Sequence, residues 1–205
     1  MILFSAEEKA RVSDAITSAE HATAGEIVVV VAARSDSYLY VPPLVGAILS
    51  LFVPWLLIAF THLDAQWIYL AQLAAFLLIT LLALPLPVRT ALVPRHVKRL
   101  HAHQRAVEQF LVQNLYTTAE HTGVLIFVSV AEHHAEILAD AAIDARVAPG
   151  TWQVIVDDLT AAIGAGNPVD GLVAAIGATG KLLARHFPPD TRNPNELPNH
   201  LIVLP

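Results

Sequence analysis

Two long runs of uncharged, mostly apolar residues interrupt the first half of the sequence. Residues 41–60 and residues 67–87 contain no Asp, Glu, Lys, Arg or His. Each run matches the roughly 20 residues that a helix needs to cross the hydrocarbon core of a bilayer. Because the linker between the runs is short, we expect a two-helix transmembrane hairpin. A buried hairpin in a soluble protein is the alternative, but the rest of a 205-residue chain is too small to enclose two such helices.

The composition agrees with a membrane-inserted segment and excludes several functions. Hydrophobic residues make up 55% of the chain and charged residues 15%, which is below the roughly 25% of soluble domains. The sequence has no cysteine, so thiol catalysis and structural disulfides are excluded. The net charge of -6 argues against nucleic acid as a partner, because phosphate binding depends on clustered Lys and Arg.

The residues flanking the hairpin predict its orientation. Tyr38 and Tyr40 stand at one end of the spans, and Trp67 and Tyr69 stand at the other, where amphipathic rings prefer the membrane interface. Basic residues tend to stay in the cytoplasm. The turn has no Lys or Arg, whereas both flanks carry them, so we expect both termini and the soluble part on the cytoplasmic side of the inner membrane. The flanking basic residues are Lys9, Arg11, Arg34, Arg89, Arg95, Lys98, Arg99 and Arg105.

Small residues within the spans indicate close helix packing. Gly46 and Ser50 are spaced by one helical turn on the first span, and Ala71 and Ala75 are so spaced on the second. We interpret these positions as packing of the hairpin on itself, with contact to a membrane protein partner or a second copy as the alternative. Transport and proton relay need ionisable groups in the spans, and these spans have none, which argues against a transporter. A small oligomeric transporter therefore ranks last among our three functional hypotheses.

The remaining sequence predicts one small α/β domain that the hairpin divides. Residues 27–33 and 124–130 are continuous apolar runs, which are typical of strands covered on both faces. A shorter segment, 136–139, predicts a third strand. The first strand lacks a partner before the hairpin, so it must join the later strands in a small mixed sheet flanked by helices. The predicted divisions are domain parts 1–40 and 89–188, the hairpin 41–88, and a C-terminal tail 189–205.

A long helix is predicted directly after the hairpin. Its larger apolar residues define one face, which we expect to pack inward, and its basic residues define the other face. The residues of the predicted inward face are Val97, Leu100, Val107, Phe110, Leu111 and Leu115.

Four short segments of the sequence resemble the TPM-domain family, in particular bacterial membrane proteins in which a transmembrane pair interrupts the domain. They are FSAEE at 4–8, AGEIVVV at 24–30, TGVLIFVS at 122–129 and AGNPVDGL at 165–172. The resemblance implies a TPM-like α/β fold and a role in the assembly, repair or trafficking of membrane protein complexes. For some plastid members, acid phosphatase activity with metal binding has been proposed. Where many relatives carry a glycine-rich segment, this chain has DAAID at 140–144.

Two groups of residues are candidates for metal binding or catalysis. Asp140 and Asp144 share a face if the intervening residues are helical, and such a pair could hold a divalent cation or divide acid and base roles. The alternative is that Asp140 caps the short helix and Asp144 is solvated. His133 and His134 lie between two predicted strands, where adjacent histidines are typically polar turn residues, since the sequence places no further ligands beside them.

These observations lead to a primary functional hypothesis and one principal alternative. The primary hypothesis is a membrane-anchored interaction or assembly module without catalytic activity, with the bilayer and a membrane protein as its partners. The alternative is a metal-assisted phosphatase-like hydrolase that uses Asp140, Asp144 and a divalent cation.

Overall fold

A computed structural model of the chain describes residues 4–118, 121–189 and 197–205. These residues form two compact units, of which the first comprises Met1–Ser35 with Arg99–Pro205 and the second comprises Asp36–Lys98. The first unit is a mixed α/β fold with a four-stranded mixed sheet flanked by helices, so the predicted fold class is confirmed.

The sheet has the strand order β3-β2-β1-β4. Its central strands, β1 (Glu26–Ala32) and β2 (Gly123–Ser129), are parallel and pair Glu26 with Gly123. β3 (His134–Ala139) runs antiparallel to β2, and β4 (Leu201–Leu204) runs parallel to β1. The pairing of β1 with β2 confirms that the strand before the hairpin joins strands that follow it.

Helices cover both faces of the sheet, which explains why β1 and β2 are continuous apolar runs. One face packs against α1 (Ala6–Glu20), α8 (Thr151–Gly164) and α9 (Pro168–His186). The other face packs against α6 (Arg95–Val112) through Ala106 and against a 3-10 turn, Leu115–Thr117. A one-turn helix, α7 (Ala141–Asp144), follows β3.

The C-terminal segment is part of this unit and not a separate tail. β4 pairs with β1 from Val29 to Ala32, and Leu201 is buried in the main core. Residues 190–196 of the predicted tail lie outside the described residues. The Leu-Ile-Val-Leu sequence of β4 is short, but pairing with a fully buried strand supplies the partner that such a segment needs.

The second unit contains the hairpin. Its helices are α2 (Val41–Ser50), α3 (Phe52–Phe60), α4 (Ala65–Ala83) and α5 (Leu86–Leu92). Two helical segments, Val41–Phe60 and Ala65–Ala83, are long and apolar enough to cross a membrane. In the most apolar 18 residues of each segment, only 11% and 0% are buried. Because their side chains are exposed, these helices do not form the core of a soluble domain.

Prolines set the ends of the hairpin helices. The regular helix is interrupted at Leu51, where Pro54 offers no N–H to the carbonyl of Ser50. The second span ends at Ala83 and not at residue 87 as predicted, because Pro85 and Pro87 cannot continue the helical hydrogen bonds.

Candidate functional site

A pocket lies at the carboxyl ends of β1 and β2, where ligands commonly bind in α/β folds. Its volume is about 330 Å³, which is at the lower end of the range for small-ligand sites. Ser129, His133, His134 and Thr160 contribute polar groups to its wall. The rest of the lining is mostly apolar and includes Phe4, Val31, Val128, Val130, Ile163 and Leu172.

A buried carboxylate organises the edge of this pocket. Glu132 is only 7% exposed, and both of its carboxylate oxygens lie 3.1 Å from the backbone nitrogen of Ser35. The hydroxyl of Ser129 donates to the same carboxylate and accepts a hydrogen bond of 2.8 Å from the hydroxyl of Ser35. These bonds fix the segment that follows β1 against the β2–β3 turn, so the polar end of the pocket is preorganised.

The two predicted histidines have different environments. His133 is exposed and has a positive φ of 51° in the β2–β3 turn, whereas His134 is the first residue of β3. The Nε2 atom of His134 lies 3.7 Å from Glu136, and Nδ1 of His103 on α6 lies 2.9 Å from it. Burial raises the pKa of Glu136, but the nearby imidazoles of His134 and His103 outweigh burial and leave that pKa below its ordinary value. Glu136 thus links α6 to β3.

The predicted aspartates lie at the other end of β3. Asp140 is the N-cap of α7, and its Oδ1 accepts a hydrogen bond of 2.6 Å from the N–H of Ala141. Its Oδ2 lies 3.2 Å from Nδ1 of His121. Asp144 is exposed at the end of the same one-turn helix. This arrangement matches the alternative reading, in which Asp140 caps the helix and Asp144 is solvated.

The four predicted metal ligands do not form one site. His133 precedes β3 and Asp140 follows it, so the six-residue strand separates the histidines from the aspartates by about 20 Å. Across the described ranges, no cluster of three or more His, Asp or Glu side chains is placed to hold a metal ion.

Sequence reasoning missed two buried carboxyl groups near the amino end of β1. Glu20 is 8% exposed and Glu26 is 4% exposed. The N–H of Ile27 donates to Glu20 at 2.8 Å. Burial, reinforced by the nearby charge of Glu26, raises the pKa of Glu20 to about 8. The sequence signal that could have indicated burial was Glu26, which directly precedes the continuous apolar run of β1, where both faces of the strand are covered.

In the second unit, the small residues of the first span face the second. A Cβ atom on Gly46 would lie 2.4 Å from Oγ1 of Thr80 and 3.1 Å from the carbonyl oxygen of Phe76. Ser50 is also buried, and its hydroxyl donates to the carbonyl of Ala47. Ala71 and Ala75 are half-buried on α4.

One predicted interfacial ring is placed differently from our expectation. Tyr38 is fully buried with a positive φ of 50°, and it packs with Val41 and Val93. Its ring is therefore part of the core of the second unit. The other predicted interfacial rings are exposed, and they belong to Tyr40, Trp67 and Tyr69.

Comparison with known proteins gives information on the fold. The chain is similar to the NMR structure of the BA42 protein from the psychrophilic bacterium Bizionia argentinensis, with a TM-score of 0.61 and 22% sequence identity. The similarity covers 98% of this chain and 95% of the other. No family model matches the sequence. No curated protein matches it.

Proposed function

We propose that this chain is a membrane-anchored, TPM-like interaction module that assists the assembly or maintenance of membrane proteins. The observation that carries the proposal is the exposure of two long apolar helical segments, in whose most apolar 18 residues only 11% and 0% are buried. Exposed apolar surface of this extent marks a membrane or protein interaction site. The hairpin anchors the module, and the α/β unit performs the recognition.

The topology supports a double attachment of the α/β unit to the bilayer. The chain leaves the sheet at the end of β1, passes through the hairpin, and returns to pair β2 with β1. Both segments beside the hairpin therefore lie on one side of the membrane, and the basic flanks favour the cytoplasmic side.

The pocket at the carboxyl ends of β1 and β2 is suited to holding an apolar group of a partner. Its lining is mostly apolar, while the imidazole of His133 and the hydroxyl of Thr160 can orient a polar end. In contrast, Asp140 already uses one carboxylate oxygen to cap α7. These contacts favour an interaction module over the hydrolase that uses Asp140 and Asp144.

The membrane orientation can be measured by cysteine labelling, because the natural chain has no cysteine. We expect Asp64→Cys, in the hairpin turn, to react with a membrane-impermeant maleimide in spheroplasts. Gln153→Cys, exposed on α8, should react only after the membrane is permeabilised. Alkaline carbonate should leave both variants in the membrane fraction. Release of the protein by carbonate would contradict the proposed anchoring. Labelling of Gln153→Cys in intact spheroplasts would contradict the proposed orientation.

The interaction function can be tested with a photoreactive amino acid at Thr160, which lines the pocket. In intact membranes we expect a discrete crosslinked adduct from position 160 and none from the control position Val154, which is exposed on the same helix. Gly164→Leu should lower the adduct yield about tenfold, since the new side chain enters the pocket and displaces an apolar anchor.

The matched control for the pocket-filling variant is Gly177→Leu. An added Cβ meets no atom within 4 Å at either glycine, so both variants should fold, but Gly177 is not part of the pocket. The proposal is contradicted if position 160 gives no adduct in native membranes, or if both leucine variants lower the yield equally.

A further inference from the structure

The second unit contains a buried arginine, Arg89 on α5. Its side chain is only 8% exposed, whereas arginine is almost never this buried unless it is paired. Its Nε atom is fully enclosed and has no hydrogen-bond partner, and no described residue forms an ion pair with its guanidinium. Because a buried charge is stable only when it is paired, the guanidinium requires an anion from outside the described part of the chain.

The acidic residues of the second unit have other positions and contacts. The unit contains two of them, Asp36 and Asp64. The Oδ1 atom of Asp36 accepts hydrogen bonds from the N–H groups of Ser37 and Tyr38. Asp64 lies in the hairpin turn, and the 19 residues of α4 place it about 28 Å from the end of the second span. The unit thus supplies no carboxylate for Arg89.

The position of Arg89 corresponds to the boundary of both spans. α5 begins three residues after Ala83, which is the last residue of the second span. Val93, one turn after Arg89, packs with Val41, which is the first residue of the first span. In a bilayer this is the level at which hydrocarbon gives way to the polar headgroups.

The residues next to Arg89 add an apolar requirement to the ionic one. Leu86 lies one turn before Arg89 on the same side of α5 and is 37% exposed. Leu81 and Leu82, at the end of α4, are each 64% exposed. A phospholipid meets both requirements, because its phosphate matches the planar fork of a guanidinium and its acyl chains cover exposed leucines. A free phosphate ion would meet only the first.

We propose that Arg89 binds the phosphate of an anionic phospholipid, whose acyl chains lie along the leucines at the ends of α4 and α5. This inference rests on the proposed membrane anchoring and names the lipid class that the anchor selects. Basic sites at the cytoplasmic ends of transmembrane helices bind anionic headgroups in this way. An anionic lipid is favoured over phosphatidylcholine, because the choline cation would lie close to the guanidinium.

The test uses the full chain, inserted into nanodiscs of equal parts phosphatidylcholine and phosphatidylglycerol and then extracted with mild detergent. Native mass spectrometry measures which lipids each chain retains. We expect the natural chain to retain one phosphatidylglycerol. Arg89→Gln should lower the affinity for that lipid about tenfold or more, because charge-assisted hydrogen bonds are lost. The matched control, Arg95→Gln, removes an exposed arginine of the same unit and should retain the lipid.

A second variant tests the geometry of the site. Arg89→Lys keeps the positive charge but cannot form two parallel hydrogen bonds to one phosphate, so its affinity should lie between those of the natural chain and Arg89→Gln. It also provides the comparison if Arg89→Gln does not fold. An affinity of Arg89→Lys equal to that of the natural chain would overturn the role of the guanidinium.

The other outcomes separate this inference from the proposed function. A chain that does not enter nanodiscs would overturn the membrane anchoring itself. A chain that enters them but retains both lipids equally would overturn the Arg89 site alone. Displacement of phosphatidylglycerol by millimolar inorganic phosphate would identify a free oxyanion as the ligand and overturn the lipid. A protein that copurifies from native membranes with the natural chain and not with Arg89→Gln, in the absence of retained phosphatidylglycerol, would identify an acidic protein group and overturn the proposal.

Discussion

The variant Glu20→Gln is expected to gain stability over the natural chain as the pH rises. Burial raises the pKa of Glu20 to about 8 in the folded chain, from an ordinary value of 4.5. Below pH 4.5 both the folded and unfolded states hold the proton, so the variant and the natural chain should be similar in stability. Between pH 4.5 and pH 8 the unfolded state ionises first, and the natural chain loses stability. With partial solvent screening, the loss is about 3 kcal/mol by pH 9.

Gln is the appropriate replacement because it retains an oxygen that accepts the Ile27 N–H while removing the ionisable group. The control is Glu7→Gln, which makes the same substitution at an exposed position of the same helix. The free energy of unfolding is measured by urea unfolding of the full chain in mild detergent. The signal is the fluorescence of Trp152, after Trp55 and Trp67 have been replaced by Phe. If Glu20→Gln and the natural chain differ in stability by the same amount at pH 5 and pH 9, the Glu20 carboxyl does not have the raised pKa described above.

The central strands could be predicted because their burial leaves a signal in a single segment of sequence. β1 and β2 are covered on both faces, so each contains a continuous apolar run, and the predicted bounds differ from the observed ones by one residue. The partner of β1 followed from the requirement that a strand must pair. β4 lay in the segment predicted as a tail, because four apolar residues beside Pro and Asn do not show which strand they will join.

The inward face predicted for the helix after the hairpin is confirmed only in part. Phe110 and Leu115 pack against the sheet core, whereas Leu100, Val107 and Leu111 are exposed. Beside Phe110, the helix approaches the sheet through Ala106, whose small side chain lies in one core cluster with residues of β1 and β2. The hydrophobic pattern of a helix identifies its apolar sides but not which of them meets protein and which meets another apolar phase.

The pocket edge could not be derived from sequence because its parts are distant in the chain. Ser35 and Ser129 are separated by the whole hairpin, and Glu132 joins them only after β1 and β2 have paired in register. None of these residues belongs to a local motif. In contrast, the capping of α7 by Asp140 depends on neighbouring residues alone, and it was one of the two interpretations that the sequence allowed.

The contact between α1 and α9 gives the second large effect that we expect. A Cβ atom on Gly180 would lie 2.7 Å from Cβ and 3.2 Å from Cα of Ala19, so Gly180→Ala must push the two helices apart. Such overpacking typically costs about 1–3 kcal/mol. Gly177→Ala makes the same change one turn earlier in α9, where an added Cβ meets no atom within 4 Å. That variant should instead gain about 0.5–1 kcal/mol from better helix propensity.

The comparison of these two variants isolates helix contact from helix propensity, because both replace glycine by alanine inside α9. Their free energies of unfolding should therefore differ by the cost of overpacking alone, about 1–3 kcal/mol. A double-mutant cycle identifies the atoms responsible: Ala19→Gly removes the facing Cβ, so in the Gly180→Ala background it should restore part of the lost stability. Equal effects at 177 and 180, or no coupling between 19 and 180, would mean that the helices adjust without cost. A positive coupling would instead show that this close contact joins the segment before the hairpin to the segment after it, and so stabilises a domain whose sequence is divided by two long apolar helices.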